Sequence, residues 1–195
     1  MAAALDTRRS ILLQAASIAS VDGLEGLSIG QLAADLEMSK AGVIGHFGSK
    51  EELQLATIDL GAEIFRTLVW DPVQSAPRGL ARLLAVCDSW TSYSSNPPFP
   101  GGCVLASASM EFAGRTGRVH DHLARYLALW HEVLVAEARH AIDNGELPAD
   151  TDADTVAFSL QALTSAVKTA KYLSDDPDAG SRCRDAMRAM LGAGR

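Results

Sequence analysis

The chain has little that would staple it, anchor it in a membrane or make it broadly basic. Cysteine is scarce: Cys87, Cys103 and Cys183 are the only three in 195 residues and lie far apart. Neither a disulfide framework nor a zinc-ligand pattern can be drawn from them. No apolar run approaches the ~20 residues of a membrane span. The first residues, through Arg8-Arg9, lead into a polar-punctuated helix rather than a signal-peptide core, so a cytoplasmic location is expected. No segment alternates with period two for long, which speaks against a sheet. The seven prolines fall outside the periodic runs. Positive charge is short as well, with a formal net of −7. An enzyme built on a helical bundle would need a constellation that is missing: no Ser/His/Asp group, phosphate loop or paired carboxylates stand out. His120 and His131, with Glu111, lack tight metal-ligand spacing. No metal or cofactor is expected.

What remains is 48% hydrophobic and rich in Ala and Leu, enough for a substantial core in an all-α protein. A first helix is expected from Asp6 or Thr7 to about Val21, burying Ile11, Leu12, Ala15, Ala16, Ile18 and Ala19. Another runs from Lys50 to about Val69, before Asp71-Pro72. One starts near Ala76-Pro77 and carries Leu80 to Trp90. Asn96 to Gly102 is a loop. Short Cys103–Phe112, long Arg118–Asp143, a helix opening at Asp152 or Asp154 and ending near Ser174, and a last one reaching about Leu191 complete the chain.

The most informative stretch runs from Ser28 to Leu53. Ser28-x-x-Gln31 is a capping-box pattern, with the hydroxyl taking a backbone N–H and the Gln reaching back. Leu32, Ala33 and Leu36 follow at helical spacing. Ser39 can cap a second helix, where Val43 and Phe47 share one side. Ser49-x-x-Glu52 opens a third. Two short helices joined by a tight turn, with a third directly after, make a helix-turn-helix whose second helix can enter the DNA major groove. The head is nonetheless acidic. Through residue 55, Arg8, Arg9, Lys40 and Lys50 face Asp6, Asp22, Glu25, Asp35, Glu37, Glu51 and Glu52. Phosphate binding must rest on local placement, and weak non-specific binding with a modest salt slope is expected.

Arg9–Ala16, Leu27–Ala33, Met38–Gly42 and His46–Leu53 resemble, in order and spacing, the tetracycline-repressor (TetR) family of one-component regulators. Gly101-Gly-Cys-Val-Leu-Ala106 with Glu111-Phe112 is similar to one branch of its sensor domains. The resemblance implies a homodimer of helical subunits, a palindromic (inverted-repeat) operator on double-stranded DNA, and a ligand pocket in the carboxyl-terminal body. A small molecule bound there shifts the spacing of the two heads and releases DNA. Three positions depart from the pattern. Glu37 stands where the family often has Gly, and a left-handed conformation there costs Glu about 1 kcal/mol. Ile44 replaces an aromatic that often touches phosphate, and Gly42 replaces a common Thr or Ser.

The expected division is a reading head at 1–50 and a ligand and dimerisation body at 51–195. The expected DNA-facing set is Arg8, Ser28, Ser39, Lys40, Ala41, Gly42, His46 and Lys50, with Val43 and Phe47 as core. Trp90, Tyr93, Ser107, Met110, Trp130, His131 and Gln161 are ligand candidates because they lie on helices that enclose the pocket in lookalikes. A mostly hydrophobic or aromatic effector follows. Val156, Leu160, Leu163, Val167 and Ala170, with Met187 and Met190, are expected in a four-helix dimer interface, where Ala162 and Ala166 keep a neighbouring side small. The leading expectation is a ligand-responsive repressor. The alternatives are a redox-responsive regulator acting through Cys103, which follows two glycines at a helix start, and a helical adaptor that does not bind DNA.

Overall fold

The computed structural model describes residues 2–193, with side chains from residue 6. All regular structure among them is helical: α1 (Ala2–Asp22), α2 (Ile29–Asp35), α3 (Lys40–Phe47), α4 (Lys50–Phe65), α5 (Leu80–Ser95), α6 (Val104–Phe112), α7 (Arg118–Asp143), α8 (Ala153–Leu173) and α9 (Ala179–Met190). Among the described residues no helix is long and apolar enough to cross a membrane. The chain forms two compact units. The first joins the residues up to Ile64 with Pro98–Arg125, and the second joins Phe65–Pro97 with the residues from Tyr126 on.

The first unit packs around α1, whose Ile11, Ala15, Ala16 and Ala19 are fully or almost fully buried. Ile18, expected in that stripe, is only half-buried. Leu24, Leu27, Leu32, Val43, Leu53 and Ile58 close the core, and α6 lies along α1. Truncating one such leucine to Ala costs about 2–5 kcal/mol. The loop between α1 and α2 is held from far along the chain. The Glu111 carboxylate on α6 accepts from Leu24 N at 2.7 Å and Glu25 N at 3.0 Å. Gly23, at φ +79°, makes room for it: a Cβ there would stand 2.6 Å from Glu111 Oε2.

The helix from Lys50 is shorter than expected. It ends at Phe65, and a π-helical turn, Arg66–Trp70, and a 3₁₀ turn, Asp71–Val73, follow. Each π turn accommodates an extra residue, a local distortion that hydrophobic periodicity does not reveal.

In the second unit α5, α8 and α9 pack mutually, burying Leu83, Cys87, Leu160, Val167, Cys183 and Met187. The start of α5 has no side-chain cap of its own. Carboxylates from α7 and the residues after it do that work: Glu137 Oε2 accepts from Gly79 N at 3.0 Å, and Glu146 Oε2 from Leu80 N at 2.8 Å. Glu137 is almost fully buried and also takes Arg78 Nε at 3.0 Å and Arg82 at 3.4 Å.

Candidate DNA interface and effector body

The helix-turn-helix is assembled by local hydrogen bonds. Ser28 has extended backbone, and its Oγ accepts from Gln31 N at 3.4 Å. The reciprocal half of the expected capping box is absent. The Gln31 amide donates to Asp35 Oδ1 at 3.1 Å, and Gln14 on α1 takes the other oxygen of Asp35 at 3.0 Å. A carboxylate is the stronger acceptor available to that amide. Ser49 behaves alike: Glu52 N donates to Ser49 Oγ at 3.1 Å, but the Glu52 carboxylate pairs with Arg118 at 2.8 Å.

The turn closes with Met38 N donating to Ala33 O at 2.8 Å, and Glu37 adopts φ +53°. Ser39 then caps α3, its Oγ accepting from Gly42 N at 3.0 Å. Gly48, at φ +81°, ends α3 and turns the chain into α4; its N–H donates to Ile44 O. Val43 and Phe47 are buried as expected. Ser39, Lys40, Ala41, Ile44 and Gly45 are exposed, while Gly42 and His46 are half-buried. The outward face of α3 is therefore narrow and mostly apolar, with Lys40 its one cation.

Around it, Arg8 is exposed with its guanidinium 4.9 Å from the Phe47 ring centre. Ser28 is exposed at the start of α2. Lys50 is engaged: its Nζ donates to Glu25 O at 2.6 Å and lies 3.6 Å from that carboxylate. The acidity of the head is offset from outside its first 55 residues. Arg118 pairs with Glu51 and Glu52 at 2.7 and 2.8 Å, and Arg115 with Glu25 at 3.5 Å. A recess of about 360 Å³ lies between α1 and α4, lined by Arg8, Arg9, Leu12, Ala56, Asp59, Leu60 and Glu63; Arg9 and Glu63 pair across those helices at 3.1 Å.

The ligand candidates divide. Ser107 and Met110 belong to the first unit. Ser107 Oγ donates to Ser20 O at 3.1 Å, and Met110 is 82% exposed. Trp90, Tyr93, Trp130, His131 and Gln161 come together in the second unit. There Phe65 contacts Trp130, Tyr93 and Trp90 edge-to-face at 5.0, 5.6 and 5.8 Å between ring centres, and Trp90 meets Trp130 at 5.3 Å. Trp70 adds a fifth ring, 6.0 Å from Trp130. Phe65 and Trp70 lie outside the expected ligand set; Phe65 ends α4 and Trp70 lies on the π-helical turn. Trp130 Nε1 is buried without a hydrogen-bond partner, a deficit worth about 1–3 kcal/mol. Beside it, Gln161 Nε2 donates to His131 Nδ1 at 3.2 Å, which leaves His131 Nε2–H to donate to Asp154 at 3.2 Å.

On α8, Val156, Leu160 and Val167 are buried within the subunit, as is Met187 on α9. Leu163 and Ala170 are half-buried, and Met190 is 38% exposed. The face of α8 left open is the adjacent stripe of Phe158, Ala162, Ala166 and Leu173, with Phe158 68% and Leu173 82% exposed.

Of the cysteines, Cys103 is half-buried at the start of α6, while Cys87 and Cys183 are buried. Burial, helped by the neighbouring Asp88 charge, pushes the Cys87 thiol up to about 12, and burial also raises Cys183. Among the described residues no group of three His, Cys, Asp or Glu side chains is placed to hold a metal ion.

The geometry has close counterparts. A TetR transcriptional regulator from Chloroflexus aurantiacus J-10-FL superposes with a TM-score of 0.90 at 23% identity, over 98% of this chain and 97% of that one. The TetR-family regulator from Cytophaga hutchinsonii gives 0.83 at 22%, covering 98% and 96%. AibR, in complex with isovaleryl coenzyme A and operator DNA, gives 0.78 at 24%, covering 95% and 98%. At these identities the likeness is one of fold. No curated protein sequence matches the chain. Two family models do: "Bacterial regulatory proteins, tetR family" over residues 11–57, and "Tetracyclin repressor-like, C-terminal domain" over residues 79–187. The second alone spans more than half of the 195 residues, and the chain belongs to the tetracycline-repressor family of transcriptional regulators.

Proposed function

We propose that this regulator is a homodimeric repressor that binds an inverted-repeat operator through two copies of α3 and is released by a small, mostly apolar effector. The observation that carries the reading is the presentation of α3. It is capped by Ser39, anchored inward by Val43 and Phe47, and open outward along Ser39, Lys40 and Ala41. Residues 1–50 form the reading head, and residues 51–195 hold the effector and the partner subunit. Arg8, Ser28, Lys40 and Lys50 contact phosphates, with Gly42 letting the backbone approach the groove and His46 donating at its edge. The two subunits meet through the exposed stripe of α8 with Ala186 and Met190 of α9, where small alanines permit close helix crossing. The stripe from Phe158 to Leu173 is mostly apolar, with Thr169 its polar member, which suits a two-fold helix contact. Effector binding acts by differential affinity for two conformations, only one of which matches the operator spacing. AibR, which binds both an acyl-coenzyme A and operator DNA, is a precedent for this pairing of ligands.

The test is selection of bound duplexes from a random pool, together with sedimentation of the free protein. A dimer that enriches an inverted repeat supports the reading. A monomer that binds no duplex at low ionic strength overturns it. Lys40→Ala is expected to weaken binding about equally across duplex sequences and to lower the salt slope by about 1 per subunit.

A further inference from the structure

The recess between α1 and α4 lies within the first unit, and its charges are unevenly matched. Its floor is Leu12, Ala56 and Leu60, all buried. Arg9 on its rim pairs with Glu63 at 3.1 Å. Asp59 is held by His122 Nε2 at 2.6 Å, while Arg125 donates to the other ring nitrogen of that histidine. The proton on the imidazole therefore points at Asp59. Arg8 is left over. Its guanidinium lies over the Phe47 ring and has no ion-pair partner among the described residues. We propose that this recess is a ligand site separate from the effector body, that its ligand is a monoanion with an unbranched apolar tail, and that the bound headgroup competes with DNA for Arg8.

Three observations set the ligand class. First, the floor side chains are aliphatic, so the part of the ligand that lies on them must be apolar. Second, the space is about 360 Å³, within the range of small-molecule sites. On α4 it runs from Ala56 to Glu63, about 10 Å along a helix that rises 1.5 Å per residue, which is the reach of an extended octyl chain. Third, the one rim charge without a countercharge is positive. A carboxylate meets a guanidinium through two parallel N–H···O bonds. An ammonium headgroup would find both carboxylates already engaged and would face Arg8. A neutral headgroup would forgo the ion pair. Binding itself does not depend on what the head does to DNA; the competition rests on the reading of Arg8 as a phosphate contact. One cation withdrawn from each subunit should lower the salt slope by about 1 per subunit.

The full-length protein is titrated by calorimetry with octanoate, octanol and octylammonium, each below its aggregation concentration. Octanoate is expected to bind about three- to fivefold more tightly than octanol, as suits an ion pair at an exposed guanidinium, with octylammonium the weakest. Arg8→Gln should remove that preference, whereas Arg188→Gln, in the second unit, should keep it. A diazirine on the octanoate tail reports the location, and on irradiation it should label peptides of α1 and α4. Octanoate should also weaken duplex binding by the unaltered protein. Label absent from α1 and α4, equal affinity for octanoate and octanol, tighter binding of octylammonium, or a duplex affinity that saturating octanoate leaves unchanged each overturns the proposal, whether or not the variants fold. A protein that selects an inverted repeat but takes no label in the recess fails only this inference. Label on α1 and α4 with a preference for octanoate, in a protein that binds no duplex, keeps the site and fails only the proposed function.

Discussion

Glu37 sits in the turn between α2 and α3 at φ +53°, a conformation in which its Cβ crowds the backbone. A non-glycine residue there carries about 1–2 kcal/mol of strain. Glycine relieves it but loses about 0.4–1 kcal/mol through the greater freedom of its unfolded chain. The net expectation for Glu37→Gly is a gain of about 1 kcal/mol. Thermal unfolding followed by far-UV circular dichroism reads this directly. The midpoint should rise by about 2–4 °C if the whole chain melts together, and by about 4–8 °C if the first unit melts alone. Two controls separate backbone from charge. Glu37→Ala keeps the Cβ and should give no gain of this size; Glu37→Gln removes the charge and keeps the strain, so it too should leave the midpoint near that of the unaltered protein. If glycine gives no rise, or alanine gives as much as glycine, the strain argument is wrong.

Other substitutions test the remaining ties. Glu111→Ala frees the Leu24 and Glu25 N–H groups that its 17%-exposed carboxylate accepts; about 2–3 kcal/mol of stability should be lost, read by urea unfolding. Glu137→Gln leaves Arg82, 15% exposed, without its buried countercharge and should cost about 3 kcal/mol; Arg78, half in water, is spared most of that penalty. A thiol reagent at neutral pH should label Cys103 rapidly in the native protein and reach Cys87 and Cys183 only on unfolding. Because burial raises Cys87 from 9.0 to about 12, the unfolded chain loses that proton first. Its contribution is complete below the ordinary thiol range and is lost as the pH climbs towards 12; Cys87→Ala should flatten that alkaline loss. In the proposed dimer, Arg8, Lys40 and Lys50 would supply six cations to the operator, so the log–log salt slope should be no steeper than about −5.

The fold class was legible because nothing in the chain competes with helix. Periodic apolar residues, Ser28, Ser39 and Ser49 as helix starts, and the Asn96–Gly102 break agree with one another, and α7 spans Arg118–Asp143 as read. Local patterns did not decide the outcome where several acceptors or cations compete, some near in sequence and some far. A capping box is a local pattern, but whether Gln31 and Glu52 reach back depends on what else is offered, and Asp35 and Arg118 offer more. The π-helical turn after Phe65 has no periodic signature; it stands where the Phe65 ring meets Trp90 of α5 and Trp130 of α7.

The candidate interface shows the same division between local and distant causes. Val43 and Phe47 could be assigned inward from their spacing alone, and Lys40 outward. The charge of the head could not be judged from its first 55 residues, because the arginines that offset Glu25, Glu51 and Glu52 lie beyond residue 110. In the proposed binding mode, Arg115 and Arg118 act on the electrostatics near the duplex without being part of the motif. Their pairing has a second consequence. With Glu51 and Glu52 partnered at the start of α4, the repulsion between that end of the helix and an approaching phosphate is reduced, and the positive end of the helix dipole is less opposed. A head with few cations can then hold duplex DNA by placement rather than by net charge, which is the condition its acidic composition imposes.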